Sequence, residues 1–333
     1  MISGNLRAAD ELGERCVELA RASDDETLLL EADHRQWATK YFLGDYVAAE
    51  SHIDHGLAIY NPDRHHRLTY IYTGHDPGVC GKTYAAKMLW YRGYPDRALS
   101  CIKEAVALAE QVSHPHSKIL AQLCLSEIHL LRREPEEGRP WVELAVAQAK
   151  EFVLPLSIYE GSFQLGWLLA QEGRLEEGIR EMRENVAGIS STGAAMGRQY
   201  FLGVLAWAYE ECNLIGEAAS VLERAFSVVA ASGAKHYVPE LMRLRAELLA
   251  KSNPEDHAAE DWFRKSMTMA HNEGMKSLEL RAALSLARLY RHQGRQSDAQ
   301  QVLAPVYNWF TERSGGRDLI EARRCLNLSV QLS

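Results

Sequence analysis

The sequence predicts an all-α fold: a right-handed α-solenoid superhelix of stacked helix-turn-helix units with a period of about 40 residues. Three observations carry this reading. First, a Gly or polar turn residue recurs at Gly4, Gly44, Gly93, Arg133, Gly173, Asn213, Ser252 and Gly294, at spacings of 40, 49, 40, 40, 40, 39 and 42 residues. Second, five residues beyond each turn come Ala9, Ala49, Ala98, Gly138, Gly178, Ala218, His257 and Ala299, small in every unit but one. Third, eight residues before the turn stand Ala85, Leu125, Leu165, Leu205, Leu244 and Leu286, followed in most units by a small residue (Ala86, Ser126, Gly166, Ala206, Ala287). A unit of this kind cannot bury its apolar face alone, so copies stack on one another.

The elements follow in order. Gly4 is already a turn position, so the chain opens inside a unit whose first helix is missing, as expected of a piece of a longer protein or of an unusual natural start. Residues 1–60 are N-terminal repeats, residues 61–76 an insertion, residues 77–315 regular repeats and residues 316–333 a C-terminal capping helix, together one repeat domain over 1–333. The insertion accounts for the 49-residue gap; within NPDRHHRLTYIYTG, the run Arg67 to Tyr72 has strand composition. In the later units Leu205-Ala206 is followed by Tyr209 and Leu286-Ala287 by Tyr290, each four residues before the turn. A Leu-small pair, Tyr, Gly and then spaced small residues form the tetratricopeptide pattern, in which small residues let two antiparallel helices approach and large ones fill the gaps. HEAT and armadillo repeats share the longer period but not the Leu-small-x-x-Tyr signature. The unit around Ser252 carries Arg245 at the small position and lacks a clean turn, so weaker packing is expected there.

With 47% hydrophobic and 25% charged residues the chain has the composition of a folded globular protein. A formal net charge of −8 and no concentrated basic face argue against nucleic acid as partner. Cysteines at 16, 80, 101, 124, 212 and 325 form no Cys-x-x-Cys pair and no zinc-ligand spacing, which points to a reducing compartment and a cytoplasmic location. No apolar run reaches bilayer-spanning length and the polar N-terminus is not a secretory signal, so no membrane partner is expected.

The stretch GHDPGVCGKT, Gly74 to Thr83, imitates a phosphate-binding loop. The required first glycine, counted back from Gly81, is Asp76, whose carboxylate repels a phosphate, and helices rather than a βαβ pattern follow. The stretch reads instead as a helix entrance: Gly74 as the turn, Asp76 as N-cap and Pro77 in the first helical position, with Gly78 allowing close approach of another backbone. His65, His66, His75, Asp76 and Cys80 cluster in sequence here, yet no HExxH or His-x-x-x-His pair occurs. No metal and no cofactor are expected.

The run from Ile59 to Leu99 resembles the C-terminal region of bacterial multidomain signalling regulators, which join a class III adenylate or guanylate cyclase, or another effector, to a P-loop ATPase and helical repeats. The matching residues are Tyr60, Pro62, His66-Arg67, Gly74 to Val79 and Gly93 to Leu99. SHPHS (Ser113 to Ser117), GWLLAQEGRLEEGI (Gly166 to Ile179) and YFLGVLAWAYEECNLIGEA (Tyr200 to Ala218) are similar to the same region. The chain holds neither a cyclase nor an ATPase domain, so those activities do not transfer.

No triad, paired-carboxylate site or nucleophile elbow is present, and the chain is expected not to be an enzyme. Projection of the tetratricopeptide register places Trp90, Phe163, Trp167, Tyr200 and Trp207 on a concave groove, with Lys87, Glu127, Glu210 and Arg288 among them. The same tryptophans would equally serve to pack adjacent repeats. The expected function is a non-catalytic interaction or sensor domain that takes a protein or peptide in this groove, a cyclase or ATPase effector domain being the partner the resemblance implies. The alternative is the sensing of a small-molecule effector on behalf of an ATPase, cyclase or transcription effector. The insertion motif His75, Asp76, Pro77 and Gly78 is a second candidate contact site.

Overall fold

The structure, a computed structural model, describes residues 5–72, 74–253, 257–312 and 316–327. Helix α1 (Leu6–Ser23) stands first, followed by seven helical hairpins: α2 (Glu26–Leu43) with α3 (Tyr46–Ile59), then, after the insertion, α5 (Pro77–Tyr91) with α6 (Pro95–Val112), α7 (Pro115–Leu131) with α8 (Pro135–Glu151), α9 (Pro155–Gln171) with α10 (Leu175–Ser191), α11 (Arg198–Glu211) with α12 (Ile215–Ser232), α13 (Val238–Ser252) with α14 (His257–Asn272), and α15 (Lys276–His292) with α16 (Gln296–Trp309). The insertion contributes α4 (Pro62–His65), and α17 (Arg317–Cys325) is the last helix among the described residues. No strand occurs among the described residues, and none of their helices is long and apolar enough to cross a membrane.

The turns lie where the periodicity puts them. Gly44, Gly93, Arg133, Gly173, Asn213 and Gly294 all have positive φ, which ends one helix and reverses the chain into the next. Arg133 and Asn213 hold this conformation at some steric cost, Asn the more readily of the two. Ser252 ends α13 but carries no such turn, because Asn253 leaves in an extended conformation. Gly4 lies outside the described residues. Prolines open α5, α6, α7, α8 and α9, where the missing N–H costs no helical hydrogen bond. Small residues set the helix spacing: a Cβ on Gly178 would stand 2.9 Å from Ala170 N, so α9 and α10 touch backbone to backbone there.

Among the described residues, the two larger buried apolar cores run along the stack, beside two small clusters. The longer includes Trp37 on α2 and Leu244 on α13; the second begins with Ala246, Ala259 and Phe263 and runs to Ala322. The break falls in the irregular unit. Arg245 is no gap in the packing, however, since its guanidinium lies over both Phe226 and Trp262, 5.3 and 4.9 Å from the ring centroids.

The Arg67 to Tyr72 run does not form a strand. It folds mostly as a 3-10 helix, His66–Tyr70, because the insertion wraps around buried Asp76 and has no partner strand to pair with. Asp76 caps α5 through Val79 N (3.0 Å), accepts from Tyr60 Oη (3.0 Å), meets His66 Nδ1 at 3.1 Å, and donates its own N–H to Ser117 Oγ. Gly78 admits the Tyr60 ring rather than another backbone: a Cβ there would lie 2.7 Å from Tyr60 Cδ1.

The solenoid also touches itself across its inner side. Lys235 N donates to Phe42 O, joining the loop before α13 to the end of α2. Ser277 on α15 donates to Trp90 O on α5. Arg317 N donates to Arg132 O, while Arg281 donates to Leu131 O and pairs with Asp318. These contacts span up to 193 residues of chain (Lys235 to Phe42) and fold the superhelix closed over its first repeats.

Candidate partner-binding groove

Closure decides which inward-facing residues remain accessible. Trp90, Phe163 and Tyr200 are buried, at 2%, 0% and 8% exposure. Trp90 is covered by Arg281, whose guanidinium stands 4.9 Å above the ring. Phe163 packs on Phe201, and Tyr200 on Tyr237 and Trp167. These three belong to the packed interior and do not line an open groove: α15 folds over Trp90, while Phe163 and Tyr200 are covered by side chains of the adjacent repeats. Lys87 and Glu127 form a largely buried ion pair at 2.7 Å. Glu160 lies in their field; burial and the Glu127 charge outweigh Lys87 and push its carboxyl up to about 7.

What stays open is a cavity of about 450 Å³ bordered by α9, α11, α13, α15 and α17. Trp167 and Trp207 form its apolar wall, Trp207 being half-buried on α11. Glu210 and Arg288 also line it, so four of the residues expected in the groove meet at one place. The sequence reading missed Arg133, Tyr237, Glu240, Arg243, Lys251, Arg281, Arg317 and Asp318. The spacing of Glu240, Arg243 and Glu247 by three and four residues is the one local signal that could have found part of this set.

The charges in the cavity are organised in pairs. Glu240 lies 2.9 Å from Arg243 and 3.6 Å from Arg281. Burial raises its carboxyl, but the two guanidiniums more than offset that and hold it low. Arg281 is 2.7 Å from Asp318, and Arg133 reaches both Asp318 and Glu321. Lys251 pairs with Glu210, whose carboxyl is nonetheless raised because burial outweighs the ammonium. Arg288 pairs with Glu321 at the rim. A wall of indole beside pre-oriented guanidiniums and carboxylates suits a segment carrying both apolar and polar groups.

A separate cluster sits at the insertion. Glu31 and His34 on α2, His75 in the insertion and Cys80 on α5 converge: His34 Nδ1 is 3.2 Å from Glu31 Oε2, and His34 Nε2 is 3.2 Å from His75 Nε2. The ligand atoms of His34, His75 and Cys80 all lie within 4.8 Å of one another. Burial raises the Cys80 thiol, but the two imidazoles more than offset it and hold it well below an ordinary thiol. Cys124, buried without such neighbours, is driven the other way. The sequence reading had His75 and Cys80 side by side but not His34, which lies 41 residues upstream inside a helix. In the structure Glu31, Asp33, His34 and Gln36 on that helix are all buried polar residues.

Fold and groove together define the chain as a tetratricopeptide-like α-solenoid. No protein-family model matches it. In sequence it is 25% identical over 272 residues to an uncharacterized protein of Rhizobium meliloti strain 1021, an alignment covering 81% of this chain and 26% of that protein. The chain thus spans about a quarter of its relative's length. In structure it is similar to a Rap protein complexed with competence and sporulation factor (TM-score 0.62, 10% identity, 90% of this chain and 77% of that one). It is also similar to the apo form of RapI (0.53, 11%, 88% and 99%) and to aspartyl phosphate phosphatase F from Bacillus subtilis (0.53, 11%, 95% and 77%). At these identities the likeness is one of fold.

Proposed function

We propose that the chain is a non-catalytic interaction domain that takes a segment of a partner protein into the cavity between α9 and α17. One observation carries the reading: the cavity straddles the self-contact of the superhelix. Its wall draws Arg133 from the turn after α7, Arg281 from α15, and Arg317 and Asp318 from α17. An occupant would touch both sides of the closure at once, and any difference in its affinity for open and closed forms would shift the balance between them. A Rap protein of similar fold, solved complexed with competence and sporulation factor, supports the use of such a solenoid as a receptor. The resemblance at residues 59–99 supports a setting in a bacterial signalling regulator, where the closure would be read by a cyclase, ATPase or other effector domain.

Selection of a random-peptide library on the purified chain tests this. Selected peptides should lose at least tenfold in affinity on Trp207→Ala and on Arg288→Glu, with helical circular dichroism unchanged. Equal binding to wild type and both variants would remove the groove from the account. A second reading, the sensing of a small molecule, is favoured by the cavity volume of about 450 Å³, within the range of ligand pockets. It predicts that a metabolite, and no peptide, raises the melting temperature of the chain.

A further inference from the structure

We propose that His34, His75 and Cys80 form a transition-metal site, with zinc as the ion their chemistry suits best. Two imidazoles and a thiolate are the borderline-soft donors that Zn²⁺ takes. The geometry fits as well. For metal–nitrogen bonds of about 2.0–2.1 Å at the tetrahedral angle, two ligating nitrogens stand about 3.3 Å apart. His34 Nε2 and His75 Nε2 are 3.2 Å apart. The nitrogen–sulfur separation in such a site is about 3.6 Å, so with all three atoms within 4.8 Å each nitrogen–sulfur distance exceeds it by at most about 1.2 Å.

The surroundings hold the ligands in place. Glu31 Oε2 engages His34 Nδ1 at 3.2 Å, which turns the Nε2 lone pair inward; a carboxylate behind a ligating histidine is a recurrent feature of zinc sites. The other Glu31 oxygen is buried and makes no hydrogen bond, so the carboxylate retains capacity beside the site. His34 is further fixed by stacking on Trp37. The loop bearing His75 is pinned on both sides, by Asp76 at the start of α5 and by His116 Nδ1 donating to Gly74 O at 2.8 Å. Of the three ligands His75 alone is half-buried, while His34 and Cys80 are buried.

Metal binding displaces the protons shared among the two imidazoles and the thiol and releases them to solvent, with no change of oxidation state. The site joins α2, the insertion and α5, so its role is to clip the insertion to the first full repeat. This inference is independent of the groove and survives if the groove is wrong.

Titration of the chelator-treated full chain with Co²⁺ tests it. The expected result is one equivalent bound, with a thiolate-to-cobalt charge-transfer band and the intense visible bands of tetrahedral cobalt, all bleached by Zn²⁺. Cys80→Ser should abolish the charge-transfer band, and His75→Ala, at a half-exposed loop position, should weaken binding at least tenfold. Zn²⁺ should raise the melting temperature of the wild type and leave that of His75→Ala unchanged. Absence of the charge-transfer band in the folded wild type, or its persistence in both variants, would overturn the assignment.

Discussion

Acid should loosen the superhelix at His236, and by an amount the structure sets. His236 lies in the loop before α13 at 2% exposure. Its ring packs against Tyr41 and Phe42 on α2, and its Nδ1 lies 3.1 Å from Gln199 Nε2. Lys87 is the cation in its field. Burial and Lys87 together depress the imidazole to about 3. An unfolded histidine titrates near 6.5. Between those two values the unfolded chain carries a proton that the folded chain refuses, so stability falls as pH drops through about 6.5 and stops falling below about 3. Near pH 5 the loss is about 2 kcal/mol, at about 1.4 kcal/mol per pH unit. Glu160 works in the opposite sense, because its carboxyl is raised to about 7 and binds its proton more readily in the folded state. The informative quantity is therefore the difference between wild type and His236→Gln, which keeps a polar group opposite Gln199. Urea unfolding near pH 7 and near pH 5 should show the wild type losing about 2 kcal/mol more than the variant. Parallel losses would refute the claim that a neutral His236 helps hold α2 to the loop before α13.

Two further outcomes follow from packing and charge. Gly78→Ala drives a methyl into the Tyr60 ring, 2.7 Å from Cδ1; thermal unfolding should report a loss of about 1–3 kcal/mol, partly recovered when Tyr60 is also changed to Leu. Lys87→Met leaves Glu127, 2.7 Å away in the wild type, without its cation. Chemical denaturation should show a cost of about 3 kcal/mol at neutral pH, reduced when Glu127→Gln is added.

How far the sequence exposed this structure differs by feature. The helical units were legible because their caps require unusual backbone: Gly44, Gly93, Gly173 and Gly294 have positive φ, and that demand repeats with the period. The helix contacts were legible because Gly166 and Gly178 have no space for a side chain. Closure was not, since Lys235 to Phe42, Arg281 to Leu131 and Arg317 to Arg132 join residues too far apart in the chain to leave a local pattern. For that reason Trp90 looked like a groove residue and lies in the interior, whereas Phe163 and Tyr200 are interior because they pack between adjacent repeats. Trp207 and Arg288, in the same register, stayed accessible. The composition of Arg67 to Tyr72 suggested a strand, but the capping of Asp76 by Tyr60 and His66 ties the insertion into a short helical wedge instead. His34 escaped notice because a ligand can come from a helix far upstream, where its burial is invisible to spacing.

The central claim is that the inward face is closed over its first repeats and receives a partner only between α9 and α17. Hydrogen exchange of the chain with and without a peptide selected for binding tests it most directly. The account predicts slowed exchange in α11, α13, α15 and α17, with α10, α12 and α14 unchanged. Protection confined to α10, α12 and α14, or spread over α2 and α5 instead, would contradict it.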